Sequence, residues 1–384
     1  MSFISEKSKK IPGSVIREMF AMQTGMEDVI SFALGEPDFT APQHVIDATV
    51  ASFQRGETHY TPNAGIPALR EAVAASYQKR GLNYKPSEIL IGAGAISLLN
   101  LACTAILDIG DEVLLPDPGW ANYMGLMMQV GAIPVPVKVK EENGFMYDVE
   151  DLKAAITFKT KAILINSPSN PTGGVASEEN LRQIANLAKE RDLYILADEI
   201  YHELLWDDRP YTSIAKFSGM KERTILVDGF SKKYAMTGFR LAWGAAPEEV
   251  IITMTRLLEN VLSSVNEGIQ WGGVAALTGS QECVEEMKTH YRRRRELIVK
   301  GLNDIGKISC QWPMGAFYAF ANVSGTGLNS REFAMRLLQE KHVVVVPGTG
   351  FGEGGEGFVR LSYATSEVTI QEGLRRIKAF VDGL

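Results

Sequence analysis

The sequence predicts an α/β fold, with a mostly parallel sheet sandwiched by helices and joined to a smaller α+β unit. Three observations predict it. Helix-like and strand-like segments alternate from about residue 65 to 250. Within them, KAILIN (161–166), LYILAD (193–198) and TILVDG (224–229) are short, β-rich and non-alternating, the pattern of strands buried on both faces of a parallel sheet. Beyond about residue 281 the pattern changes: GAFYAFANVS (315–324), HVVVVPGTGF (342–351) and FVRLSYAT (358–365) read as strands of the smaller unit. A helix, VTIQEGLRRIKAFVDGL (368–384), closes it.

The remaining elements follow in order. IPALREAVAASYQKRG (66–81) has helical spacing. In ILIGAGAISLLNLACTAIL (89–107) a strand turns through glycines into an apolar helix, and DEVLLPDP (111–118) is a short strand. EENLRQIANLAKERD (178–192) is an amphipathic helix entered through GGVAS. The one basic cluster, YRRRRELIVKGL (291–302), reads as a solvated helix face rather than a polyanion site.

With 384 residues the chain is long enough for two domains. A net charge of −7 disfavours nucleic acid and anionic membrane as partners. MSFISEKSKKIPGS lacks the apolar core of a signal peptide, and no apolar run approaches membrane-spanning length. Cys103, Cys283 and Cys310 are odd in number and lack metal-ligand spacing, and the five histidines form no HExxH cluster. A cytoplasmic protein with reduced cysteines and no structural metal is expected.

The three apolar runs share a feature. Each ends in polar groups: Asn166 and Asn170, then Asp198, then Ser231 and Lys232. Open α/β sheets bind ligands outside the carboxyl ends of their strands, so parallel neighbours would bring an amide, a carboxylate and an amine to one crevice. The strand-to-helix turn at Gly92–Gly94 offers free N–H groups to an anion. A dinucleotide fingerprint would need a third glycine where Ser97 stands, so a cradle for a single phosphate is preferred.

A cofactor with one phosphate, an aromatic ring and an aldehyde would use all of these groups. Pyridoxal 5'-phosphate forms a Schiff base with a lysine, and its pyridinium nitrogen needs an acidic partner. Asp198 can be that partner. Lys232 can carry the cofactor and, once displaced, move the substrate α-proton. Arg240 offers a planar fork for phosphate oxygens, with Ser231 as a second donor.

GFSKKYAMTGFRLA (229–242) resembles the lysine signature of class I aminotransferases, of pyridoxal-phosphate fold type I, at every defined position. ALGEPDF (33–39), HYTPNAGIPALREA (59–72), NSPSNPTGG (166–174), ADEIY (197–201) and FVRLSYAT are similar to further motifs of that family, in the family's order. The resemblance implies that Lys232 is the Schiff-base residue and Lys233 a structural neighbour. It implies that Asn170 and Tyr201 bind the cofactor's phenolic oxygen, and that Trp120 stacks on its ring. Backbone amides near Gly94, Ala95 and Ile96 would cup the phosphate, and Arg360 would grip the substrate α-carboxylate with Asn170 and the backbone of Gly35. Tyr60 resembles a tyrosine that reaches the neighbouring subunit's phosphate, which implies a homodimer with shared active sites. The domains implied are an N-terminal arm and part of the small domain at 1–45, a large cofactor-binding domain at 46–280 and a small domain at 281–384.

The activity so implied is transfer of an amino group between an L-amino acid and a 2-oxo acid. A C–S β-lyase on the same fold is the nearest rival, but such relatives carry DEIH where this chain has Asp198-Glu199-Ile200-Tyr201. A transcriptional regulator would need a DNA-binding domain ahead of the fold, and only about thirty residues precede GEPDF. Several relatives that act on acidic substrates have a lysine where Ile96 stands. IPGSVIRE (11–18), expected at the cavity mouth, is small and apolar around Gly13 to Ile16, and ENVLSSVNEGIQW (259–271) contains no arginine. A neutral or aromatic substrate is therefore expected over an aspartate-type one.

Overall fold

The computed structural model describes residues 3–384, so Met1 and Ser2 of the expected N-terminal arm lie outside the described residues. After the two-residue strand β1 (Ile30–Ser31) come β2 (Ile89–Gly92), β3 (Glu112–Asp117), β4 (Ile133–Lys138) and β5 (Thr160–Asn166). Next are β6 (Tyr194–Asp198), β7 (Thr224–Gly229) and β8 (Ala242–Ala245). Strands β2 to β8 form one seven-stranded sheet in the order β2-β8-β7-β6-β5-β3-β4. Neighbours from β7 to β4 are parallel, and only β8 is antiparallel to its neighbours.

The three runs that predicted the sheet coincide with β5, β6 and β7 to within one residue. Their central residues are fully buried, and alternate side chains enter different apolar clusters. Ile163, Ile195 and Leu226 pack on one face, and Leu164, Leu196 and Ile225 on the other. Each such side chain stabilises the fold by roughly 1.5–3 kcal/mol. Between β5 and β6 the chain crosses over through the helix Glu178–Glu190. Ser177 caps it by accepting from the Asn180 N–H, and Glu178 and Glu179 oppose the helix dipole in its first turn. Leu181, Ile184 and Leu187 form the face it buries.

The remaining strands are β9 (Ser309–Cys310), β10 (Tyr318–Asn322), β11 (Val343–Val344), β12 (Val346–Pro347) and β13 (Phe358–Ser362). Four of them make an antiparallel sheet in the order β12-β13-β10-β9, while β11 pairs in parallel with β1. HVVVVPGTGF is therefore two strands in two sheets, divided at Val345, rather than one. The pairing with β1 ties the N-terminal segment to this unit, and Phe32 continues it by accepting from the Ser362 N–H at 2.9 Å. The residues that follow, Ala33 to Gly35, reach the carboxyl end of the large sheet.

The basic cluster differs from its expected solvated face. It lies in the helix Glu282–Asn303, where Arg292 and Arg293 are exposed but Arg294 and Arg295 are buried. Arg294 donates to both oxygens of Asp38 at 2.7 and 2.9 Å, and Arg295 to both of Asp207 at 2.8 Å. Bidentate pairing lets the guanidinium groups leave water. No helix among the described residues is long and apolar enough to cross a membrane.

Candidate active site

A cavity of about 720 Å³ opens at the carboxyl ends of β5, β6 and β7. β6 ends on Asp198, which is 4% exposed. Its Oδ2 accepts from the Tyr123 hydroxyl at 2.7 Å and its Oδ1 from the Ile200 N–H at 3.3 Å. Both donors are neutral. Burial raises the carboxyl pKa to about 6, partly offset by those hydrogen bonds.

Lys232 follows β7 and turns into the cavity, where its Nζ donates to the Gly35 carbonyl at 2.6 Å. It keeps some solvent contact through the mouth, but protein surrounds the ammonium. That desolvation, with Arg360 and Arg240 nearby, lowers its pKa to about 8 against the opposing pull of Glu36 and Asp198. Lys233 points elsewhere, to Glu203 Oε1 at 2.8 Å.

Asn166 at the end of β5 donates to the Asp198 carbonyl and accepts from the Asn170 N–H, which holds Asn170 over the sheet edge. Asn170 Oδ1 in turn accepts from Arg360 Nη1 at 3.0 Å. Arg360, on β13, is 1% exposed. Its Nη2 donates to the Ala33 carbonyl, and its guanidinium lies between the rings of Tyr318 and Phe351, 4.7 and 4.9 Å away. No carboxylate among the described residues pairs with it, and its Nε has no partner there. A buried cation without a counterion is costly, and a ligand carboxylate would supply one.

Ser231, Arg240, Tyr201, Trp120, Ala95 and Ile96 line the same cavity, as does Gly35. Gly94, with φ +88°, precedes the helix Ala95–Ile106, and Arg240 Nη2 would stand 2.5 Å from a side-chain carbon there. Only a glycine admits that close approach, which leaves amides and guanidinium converging on one spot. Tyr60 lies apart: it is 88% exposed and does not line the cavity.

The donor set fits pyridoxal phosphate. Gly94 and Arg240 form a cradle a side chain would fill, Asp198 is a buried carboxylate with no cation hydrogen-bonded to it among the described residues, and Lys232 is an amine of lowered pKa.

Some cavity residues escaped the sequence reading. Tyr123, three positions after Trp120 in the first turn of the helix Asn122–Val130, holds Asp198. Tyr318 bonds the Tyr201 hydroxyl at 2.7 Å and supports Arg360. Glu36, inside GEPDF, accepts from Thr237 at 3.1 Å beside Lys232. Arg17 corrects an expectation: the mouth segment brings a cation to the cavity as well as Ile16 and Phe20. Arg17 sits in the first turn of the helix Val15–Met22, one residue beyond the apolar stretch.

Residues 27–377 match the family described as aminotransferase class I and II. The chain is 42% identical over 384 residues to an aspartate aminotransferase of Pyrococcus horikoshii, with 99% of this chain and 98% of the relative covered. It is 41% identical over 379 residues to aromatic-amino-acid aminotransferase 2 of Thermococcus litoralis, with 98% and 97% covered. The solved aspartate aminotransferase of Thermus thermophilus with maleate matches the fold at a TM-score of 0.94 and 37% identity, over 99% of this chain and 100% of that one. Sharing both fold and sequence with these enzymes over nearly its whole length, the chain belongs to the class I and II aminotransferases, a pyridoxal-phosphate-dependent family.

Proposed function

We propose that the enzyme moves an amino group between a neutral or aromatic L-amino acid and a 2-oxo acid by a ping-pong mechanism, both half-reactions using one cavity. The observation that carries this is Arg360, a buried guanidinium with no carboxylate partner among the described residues, in the cavity that holds Lys232 and Asp198. Bound pyridoxal phosphate supplies an electron sink for negative charge at the substrate α-carbon. Arg240, Ser231 and the amides at Gly94, Ala95 and Ile96 hold its phosphate, Asp198 its ring nitrogen, Asn170 and Tyr201 its phenolic oxygen. Trp120 covers the ring face. Arg360 orients the substrate by its α-carboxylate, helped by Asn170 and the Gly35 backbone. Lys232 takes the α-proton of the amino donor as general base and, in the reverse half-reaction, supplies a proton to the α-carbon of the acceptor as general acid. With a pKa of about 8, on the order of a tenth of it is neutral at pH 7.

Ile16, Phe20, Leu34 and Ile96 around the cavity support a neutral or aromatic side chain. Arg17 favours an aspartate-type enzyme instead, or a dicarboxylic acceptor beside an apolar donor. A donor panel with 2-oxoglutarate and pyruvate as acceptors, run on the unaltered enzyme and on Arg17→Ala, separates these. Aromatic or neutral donors should exceed aspartate in kcat/KM, because an unpartnered distal carboxylate costs several kcal/mol, about two decades or more. Aspartate as the best donor, lost selectively in Arg17→Ala, would establish the aspartate-type enzyme.

The exposed Tyr60 supports a homodimer in which each copy completes its partner's site. Tyr60→Glu should set a negative charge against the partner's phosphate and impair activity. Mixing it with Lys232→Ala after dissociation should restore activity, since one site of each mixed dimer carries neither lesion. No recovery despite subunit exchange would put Tyr60 in its own chain's service. Cys103, Cys283 and Cys310 are all free, which fits the reducing cytoplasm.

A further inference from the structure

The two adjacent lysines serve opposite sides of the same turn. Lys233 leads away from the cavity into a chain of charged groups. Its Nζ is 2.8 Å from Glu203 Oε1, and that oxygen is 3.4 Å from His202 Nε2. His202 Nδ1 is 2.9 Å from Asp228 Oδ2, which also meets Arg80 Nη1 at 3.3 Å. Arg80 Nη2 closes the chain on Glu199 Oε2 at 2.5 Å.

The connectivity gives these contacts their meaning. Glu199, His202 and Glu203 belong to the segment leaving β6, directly after Asp198, and Tyr201 lies within it. Asp228 lies in β7, and Lys233 follows Lys232 beyond its end. The charged groups therefore strap together the two strand ends that present the cavity's carboxylate and its amine. Asp228, Glu199 and His202 are buried. Asp228, Glu199 and Glu203 contribute three negative charges against the two fixed positive charges of Arg80 and Lys233. A protonated His202 brings the sum to zero. Burial and Arg80 oppose that proton, but the carboxylates of Asp228 and Glu203 outweigh them and raise the imidazole pKa. Removing one member leaves another charge, buried at Asp228, Glu199 and His202 and half-buried at Glu203, without its partner, so the segment must move to rehydrate it.

We propose that Lys233, Glu203 and His202 are positioning residues that fix where Lys232 stands relative to Asp198, acting through the backbone of the two strand ends without touching substrate. The inference rests on the reading that Lys232 carries the cofactor. A displacement of about 1 Å at a reacting group can cost up to about 10²-fold in rate.

The test uses the holoenzyme of Lys233→Met. Borohydride reduction and peptide mapping should still find the cofactor on Lys232. Turnover should fall about tenfold or more with KM within about twofold, the split expected when a reacting group is misplaced and binding is spared. The pH midpoint of the bound cofactor's absorbance change should shift as well. Glu203→Gln should act in the same way, the double variant should be no worse than the weaker single one, and Lys233→Arg should restore both readouts. Should Lys233→Met fail to fold, Glu203→Gln, which keeps its volume, carries the same comparison. Variants that lose thermal stability but keep turnover and midpoint would overturn the positioning role. A label absent from Lys232 would overturn the cofactor assignment instead.

Discussion

Lys232→Ala is expected to abolish amino transfer while leaving the protein folded. On the proposed reading the substitution removes both the amine that attaches the cofactor and the base that moves the α-proton, and a base of that kind alone contributes about 10²–10⁴-fold. Its structural cost is small. The Nζ makes one hydrogen bond, to the Gly35 carbonyl, worth about 1 kcal/mol net. Against that loss, removing a cation relieves its repulsion by Arg360 and Arg240. Reduction with labelled borohydride should mark the Lys232 peptide of the unaltered enzyme and mark nothing in the variant. A label on Lys233 would overturn the assignment.

Asp198→Asn should lower turnover by about 10²–10³-fold, the range for removing one preorganised electrostatic group. The amide keeps the shape and can still accept from Tyr123, so cofactor binding should weaken far less than turnover falls. Turnover near that of the unaltered enzyme would place Asp198 outside the chemistry. The same residue predicts a pH dependence in the apoprotein. Burial raises the carboxyl to about 6, above its value in an unfolded chain, so the folded state binds the extra proton. Its contribution to stability is therefore most favourable at low pH, declines as pH rises through the unfolded value near 4, and is fully lost above about 6, a change of about 3 kcal/mol. Asparagine has no such dependence. Urea unfolding of the two apoproteins should show Asp198→Asn gaining on the unaltered chain from pH 4 to 7. On the proposed reading, which sets a cationic ring nitrogen beside Asp198, added cofactor should reverse that gain.

The sheet was legible because its central strands are buried on both faces. Nothing interrupts ILIN, YILAD or TILVDG, and each polar residue that ends a run stands at a carboxyl end. Uniform apolarity hid the break at Val345, since four consecutive valines offer no alternation to mark a change of sheet. Arg294 and Arg295 misled for a different reason. Their partners, Asp38 and Asp207, lie 256 and 88 residues away, so charge pattern along the helix could not reveal the pairing. That Lys232 and Asp198 meet in one cavity could be read from strand ends, and that Arg360 and Asn170 join them could be read from motif. Tyr123, Tyr318 and Arg17 could not, because an isolated tyrosine or arginine carries no local mark of what it faces once helix and strand are packed.

The stretch Ala33 to Gly35, stitched to the small unit through β1 and β11, meets both Arg360 and Lys232, and does so with main-chain oxygens. A survey that trims side chains one by one would pass over Ala33 altogether. At Gly35 it would register only the collision of a new methyl group with the Tyr318 hydroxyl. Neither result would reveal the carbonyls. The contacts this stretch makes with Arg360 and Lys232 are thus held by atoms every residue possesses, which a codon change can displace but never delete.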